Sequence, residues 1–256
     1  MVMRNILVTN DDGPFSPGLK LLYESVKKLG EVKAMVPETP KSASGLGITL
    51  HKPLRAHKLT LDGVEMYLIN GTPSDIVHVA SAIFGEKFDL VVSGVNLGDN
   101  TSVQVILSSG TVGAAVQAAL EGIPAIAFSY AEDDPESIQR EDVTSMIKSF
   151  VEKLSRIILE EGMPEGVDVI NVNFPATPTD EVVVAPLARK RYENRLTRRV
   201  DPRRNPYFWL YGQPMHPEPG SDVDMLLNKG KITITPISLC NIAAPLNTLN
   251  DLVKKL

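Results

Sequence analysis

Asp11 and Asp12 stand side by side in Asn10-Asp11-Asp12-Gly13, directly after the short apolar run of residues 4–9. Adjacent carboxylates at a strand end repel one another unless a cation neutralises them. Hard oxygen donors of this kind suit Mg²⁺, Mn²⁺ or Ca²⁺. The plain alternative is a solvated turn, because Asp-Gly is a common turn pair. A second cluster, Ser93-Gly94-Val95-Asn96-Leu97-Gly98-Asp99-Asn100, again follows an apolar run. Its glycines admit close backbone approach, and Asn96 offers a neutral oxygen or a donor. Ser108-Ser109-Gly110-Thr111 then precedes the helical pattern of residues 112–120. Small hydroxyl residues and free N–H groups at a helix start form an anion site, although simple capping needs the same residues. The loop Pro40-Lys41-Ser42-Ala43-Ser44-Gly45-Leu46-Gly47 is long enough to serve as a lid over the same edge.

These groups need elements to hold them. Residues 4–9, 31–36, 64–69, 89–93, 124–129 and 167–172 read as strands, each a nearly continuous apolar run. Helical spacing appears at Leu19, Leu22, Val26 and Leu29, after Thr72-Pro73, over about 111–121 and over 136–161. Alternating strands and helices predict a parallel sheet covered on both faces. In such sheets ligands bind outside the carboxyl ends of the strands, where these polar groups fall. Together they suit metal-assisted hydrolysis of a phosphate ester.

Composition narrows the field. The chain has 256 residues, 43% of them hydrophobic, and a net charge of −5. That excludes a low-complexity chain and argues against a nucleic-acid binder. A single cysteine, Cys240, allows no intramolecular disulfide and fits a reducing cytoplasm. The N-terminal segment lacks a signal-peptide pattern, and no run of ~18 apolar residues predicts a membrane span. His51, His57, His78 and His216 show no metal-ligand spacing, and neither a P-loop nor a complete dinucleotide fingerprint is present. Between residues 189 and 204, eight Lys and Arg residues face only Glu193 and Asp201, and Tyr207, Phe208, Trp209 and Tyr211 follow. This stretch reads as an arm rather than another strand–helix unit.

The motifs taken together resemble the stationary-phase survival protein SurE family of metal-dependent nucleoside-monophosphate phosphatases. The resemblance is carried by Ile6-Leu7-Val8-Thr9-Asn10-Asp11-Asp12-Gly13, Pro17-Gly18, Val36-Pro37, Gly71-Thr72-Pro73-Ser74-Asp75 and Val92-Ser93-Gly94-Val95-Asn96-Leu97-Gly98. Ser109-Gly110-Thr111-Val112, Ile170-Asn171-Val172-Asn173-Phe174-Pro175 and Ile234-Thr235-Pro236 complete it. It implies one divalent metal ion per subunit, Mg²⁺ or Mn²⁺, held by Asp11, Asp12, Ser42 and Asn96. Ser42 is preferred to Ser44 because the family's serine follows a basic residue, here Lys41. Ser109, Gly110 and Thr111 would contact phosphate, and Asn10 would support catalysis beside Asp11 and Asp12. Two positions depart from the family's pattern. Gly98-Asp99-Asn100 stands where Gly-Pro-Asn is usual, and the stretch from 96 to 109 is one residue longer and lacks an acidic residue near its end.

The reading is a three-layer, Rossmann-like, doubly wound α/β fold with a mostly parallel sheet and a C-terminal oligomerisation arm. The core covers about 1–186 and 231–242, the arm about 187–230, and a terminal helix about 244–256. The expected reaction is hydrolysis of nucleoside 5′-monophosphates, or other phosphate monoesters, by a cytoplasmic homodimer or homotetramer without membrane or nucleic-acid partners. The rivals are a nucleotide-binding sensor without turnover and a phosphoacceptor signalling domain. The latter needs an acceptor Asp where this chain has Ser93-Gly94. A covalent aspartyl-phosphate route would use carboxylates two residues apart, whereas Asp11 and Asp12 are adjacent.

Overall fold

The computed structural model describes residues 4–85 and 87–242. Strand β1 (Asn5–Thr9) is buried along almost its whole length, which its unbroken apolar sequence requires. Helix α1 (Pro17–Val26) begins with proline at its first position and returns the chain to β2 (Glu31–Pro37). A hairpin of β3 (Ala56–Leu61) and β4 (Val64–Ile69) follows, then α2 (Pro73–Phe84). Thr72 caps α2 with Pro73 in its first turn, as the sequence predicts, and Asp75 caps it reciprocally.

The second half carries β5 (Leu90–Leu97), α3 (Ser102–Ser108), α4 (Gly110–Leu120), β6 (Ala125–Tyr130), α5 (Glu141–Glu161) and β7 (Val169–Phe174). Then come β8 (Val182–Val184), β9 (Tyr192–Val200), β10 (Pro206–Pro214) and β11 (Ile232–Ile237).

One nine-stranded sheet runs β3-β4-β2-β1-β5-β6-β7-β11-β8. The pairings from β4 to β7 are parallel, and β3 and β11 pair antiparallel with β4 and β7. Strand order reverses at β1: β2 and β4 lie on one side, β5 to β7 on the other. The β1–β5 boundary is therefore the topological switch point where such sheets bind ligands. One face of the sheet packs residues of α1 and α5, including Leu19, Leu22, Val143 and Ile147. The opposite face packs Ile76, Val77, Ala80, Val112, Ala115 and Ala118 of α2 and α4. These three layers are the doubly wound α/β fold expected from the alternating strands and helices. Gly18 lets α1 lie against β5, since a Cβ there would come 2.0 Å from the Val95 carbonyl oxygen.

Several local expectations are revised. Residues 94–97 extend β5 rather than opening a loop. The stretch before Ser109 is the short helix α3. Residues 137–139 form a separate 3₁₀ turn ahead of α5, so the helix expected from 136 begins at Glu141. The basic stretch is a two-stranded antiparallel ribbon, β9–β10, outside the main sheet. The terminal helix expected over 244–256 lies outside the described residues.

Candidate active site

The turn after β1 is fixed by Asn10. This buried side chain donates from Nδ2 to the Gly13 carbonyl at 2.9 Å and accepts the Gly13 N–H at 3.1 Å. Its carboxamide is committed to the turn on both sides, so Asn10 positions the two residues between. Asp11 points inward and is 4% exposed. Burial pushes its carboxyl up to about 6; hydrogen bonding from Thr111 opposes the rise and the charge of Asp12 adds to it. Asp12 is half-buried and also raised by burial, against hydrogen bonds from the Leu97 backbone N–H and the Ser16 hydroxyl at 3.4 Å. Neither carboxylate has a Lys, Arg or His partner among the described residues.

Helix α4 presents its first turn to Asp11. The Thr111 hydroxyl donates to Asp11 Oδ1, and the Thr111 backbone N–H also reaches this carboxylate. The positive end of the helix thus faces the carboxylate, an arrangement that favours an anion. Ser109 caps α4, its Oγ accepting the Val112 N–H at 3.1 Å. Of the three residues expected to hold phosphate, two are therefore engaged within the protein. Gly110, between them, is needed for close packing: a Cβ there would lie 2.7 Å from Ser44 Oγ, 2.8 Å from Asp11 Cβ and 3.0 Å from Asp11 Oδ2.

The loop of residues 38–53 is a strap, tied down along its length. Lys41 N–H donates to the Asp11 carbonyl at 2.7 Å and Gly45 N–H to the Ser108 carbonyl at 2.8 Å. Near α2, the Thr72 hydroxyl donates to the Gly47 carbonyl at 2.6 Å, and Thr49 N–H donates to Asp75 at 2.8 Å. Ser42 sits exposed on this strap, next to the Lys41–Asp11 tie. The Ser44 hydroxyl is buried without a hydrogen-bond partner.

From the β5 side, Asn96 donates through Nδ2 to the carbonyls of Gly98 at 2.8 Å and Leu97 at 3.2 Å. Its Oδ1 accepts no hydrogen bond among the described residues and is left available as an oxygen donor. Asp11, Asp12 and Asn96 are thus gathered at the two central strand ends. Among the described residues no three His, Cys, Asp or Glu side chains form a metal cage. A cation here would take two carboxylates and complete its shell with neutral oxygens, which is the pattern of hard divalent ions.

Sequence reasoning missed the groups that brace this edge. Asn100 N–H donates to Asn173 Oδ1 at 2.8 Å, Asn171 Nδ2 donates to the Asn100 carbonyl at 2.8 Å, and Asn100 Nδ2 donates to Ser129 at 2.8 Å. Asp222, fully buried, accepts the N–H groups of Ser102, Ala188 and Val223 at 2.7–2.9 Å. The asparagines alternate with Val172 and Phe174 in a buried strand, and that polar alternation is a signal that a partner lies across the sheet.

The family model described as "Survival protein SurE" matches residues 6–194. The chain belongs to the SurE family. It is 53% identical to the 5′-nucleotidase SurE of Thermofilum pendens over 98% of this chain and 96% of that protein. It is 55% identical to the 5′-nucleotidase SurE of Hyperthermus butylicus, over 91% and 84% of the two chains. The fold matches the crystal structure of the SurE protein from Aquifex aeolicus with a TM-score of 0.77 and 29% identity, covering 98% of both chains. Relatives in the SurE family therefore align along nearly the whole chain, and the β1 and β5 strand ends fall inside the family match.

Proposed function

We propose that this chain is a divalent-metal-dependent phosphomonoesterase acting on nucleoside 5′-monophosphates, the activity named in its 5′-nucleotidase relatives. The observation that carries the reading is Asp11. It is a buried carboxylate raised to about 6, with no cationic partner among the described residues, beside a second raised carboxylate at the switch point of the sheet. Such a pair is costly unless a cation completes it. The orphaned hydroxyl of Ser44 and the free Oδ1 of Asn96 supply further oxygens at the same edge.

Asp11, Asp12, Asn96 and Ser42 would hold one Mg²⁺ or Mn²⁺ ion. When bound, the cation would neutralise phosphoryl charge and acidify a water molecule. Thr111 fixes the orientation of Asp11, and Ser16 and the Leu97 N–H fix Asp12. The carboxylate pair orients the attacking water. Ser109, Gly110 and Thr111 present the first turn of α4 to the phosphoryl oxygens, where each well-placed donor is worth ~3–4 kcal/mol in the transition state. The strap of residues 38–53 excludes bulk water from the Asp11 side.

The ribbon β9–β10 supports a homo-oligomer, dimer or tetramer. Leu196, Val200, Phe208, Trp209 and Leu210 are each more than half exposed on it, and a two-stranded ribbon is marginal alone. No single helix among the described residues is long and apolar enough to cross a membrane.

Phosphate release from a panel of nucleoside 5′-monophosphates tests the reading. EDTA should abolish release and Mg²⁺ or Mn²⁺ should restore it. Full activity in thoroughly chelated enzyme would sink the metal assignment, and no release from any monophosphate would leave only a binding role.

A further inference from the structure

Arg191 stands apart from the other cations of the basic stretch. It directly precedes β9, and its side chain is only 12% exposed. Nε lies 3.5 Å from Asp99 Oδ2, a carboxylate 8% exposed, and makes no hydrogen bond among the described residues. Thr101 donates its hydroxyl to the other Asp99 oxygen. The Arg191 backbone is fixed as well. Its N–H and that of Tyr192 both donate to Gln104 Oε1, at 3.1 and 2.9 Å, while Gln104 N–H donates to the Arg189 carbonyl at 3.3 Å. Val103 N–H donates to the Ala188 carbonyl at 2.8 Å. The root of the arm is thus clamped onto α3, and the clamp sets where the Arg191 guanidinium sits.

Asp99 connects this clamp to the site. Of the two carbonyls that hold the Asn96 carboxamide, the nearer, at 2.8 Å from Nδ2, belongs to Gly98 and lies in the peptide unit joining Gly98 to Asp99. Gly98 N–H is itself held by the carbonyls of Tyr130 at 2.9 Å and Glu132 at 3.0 Å, so Asp99 completes the support of a peptide that helps to orient the Asn96 carboxamide. An uncompensated Asp99 would also add negative charge beside a site that must accept phosphate.

We propose that Arg191 is a positioning residue for the catalytic centre: through its ion pair with Asp99 it holds the Gly98–Asp99 peptide that aims Asn96 at the metal. The inference rests on the metal-dependent reading above. It assigns a role in the site to a residue of the arm root, and it makes Asp99 and Arg191 a matched pair.

Outer partners of metal ligands typically contribute about 10–100-fold to metal affinity. Mn²⁺ binding to the full chain, followed by titration calorimetry without substrate, reads this directly. Arg191→Ala and Asp99→Ala should each weaken Mn²⁺ about tenfold or more. The double variant should be no weaker than the worse single one. Arg191→Lys, which keeps the charge and perturbs packing least, should fall in between. In an Asn96→Ala background Arg191→Ala should change Mn²⁺ affinity less than twofold, whereas a merely structural role would weaken it there too. Wild-type binding with unmoved Arg191 and Asp99 variants would overturn the positioning role alone, as would losses that multiply or persist without Asn96. A wild-type chain that binds no Mn²⁺ would overturn the metal reading itself.

Discussion

Thr111 donates its hydroxyl to Asp11 across one hundred residues of sequence, joining the first strand's end to the first turn of α4. The bond tunes Asp11 as well as orienting it. Burial raises the Asp11 carboxyl to about 6, and this hydroxyl is the largest influence holding it down.

Thr111→Val deletes the hydroxyl at nearly constant shape. The Asp11 carboxyl should then titrate higher than in the wild type, and a proton should compete with the metal over a wider pH range. Mn²⁺ affinity should fall several-fold at pH 6.5 and much less at pH 8.5. An equal loss at both values would mean that the hydroxyl serves the bound ligands and leaves Asp11 untouched.

Asp11 also links metal-free stability to pH. The carboxyl titrates at about 6 in the folded chain, against an ordinary value of 3.8. Between these values the folded chain keeps a proton that the unfolded chain has released. Stability of the metal-free protein should therefore fall as pH rises from about 4 to about 6, and level off above. The contribution is of order 2–3 kcal/mol. Asp11→Asn should remove this slope, make the chelated protein more stable than wild type at pH 7, and cut turnover at least ~100-fold. Urea melts in EDTA across pH 4–7.5 check it; an unchanged slope in the variant would assign the dependence to another group.

The arm gives the third test. Replacing residues 194–212 by a short turn removes the exposed apolar ribbon and leaves Arg191 and Tyr192 on α3. Light scattering at micromolar concentration should show a smaller particle than the intact chain. An intact chain that is already monomeric and fully active would remove the arm from the function.

The central strands were legible because their burial on both faces makes them continuous apolar runs, and the switch point follows from the order in which they alternate with helices. Asp11 and Asp12 could be named because they sit where the first of those runs stops, and Asn96 because it follows the run that opens β5; Ser42 rests on the family resemblance alone. Helix α3 could not. Its seven residues carry no side-chain cap, and its position depends on Asp222 and on the Ala188 carbonyl, both distant in sequence. The ribbon was hidden for another reason. Its two strands pair arginines with aromatics, Arg199 with Tyr207 and Arg198 with Phe208, so charge masks the strand pattern. The length of the strap suggests a lid, and a lone sequence does not reveal that its N–H groups reach Asp11 and Ser108. For the same reason the basic stretch looked uniform, although Arg191 is the member turned inward.

The bracing of Asn100 by Asn171 and Asn173 has a consequence for biogenesis. The chain is made from its N-terminus at about 5–20 residues per second. Asp11 and Asp12 therefore emerge several seconds before Thr111, and longer still before β7. Through that interval the two carboxylates are hydrated and ordinary, and nothing raises their proton affinity. Asn171 and Asn173 reach Asn100 only once the seventh strand docks, so the brace on this edge of the sheet is the last part to form. A nascent chain stalled short of about residue 169 would carry Asp11, Asp12 and Thr111 without the strand that braces Asn100.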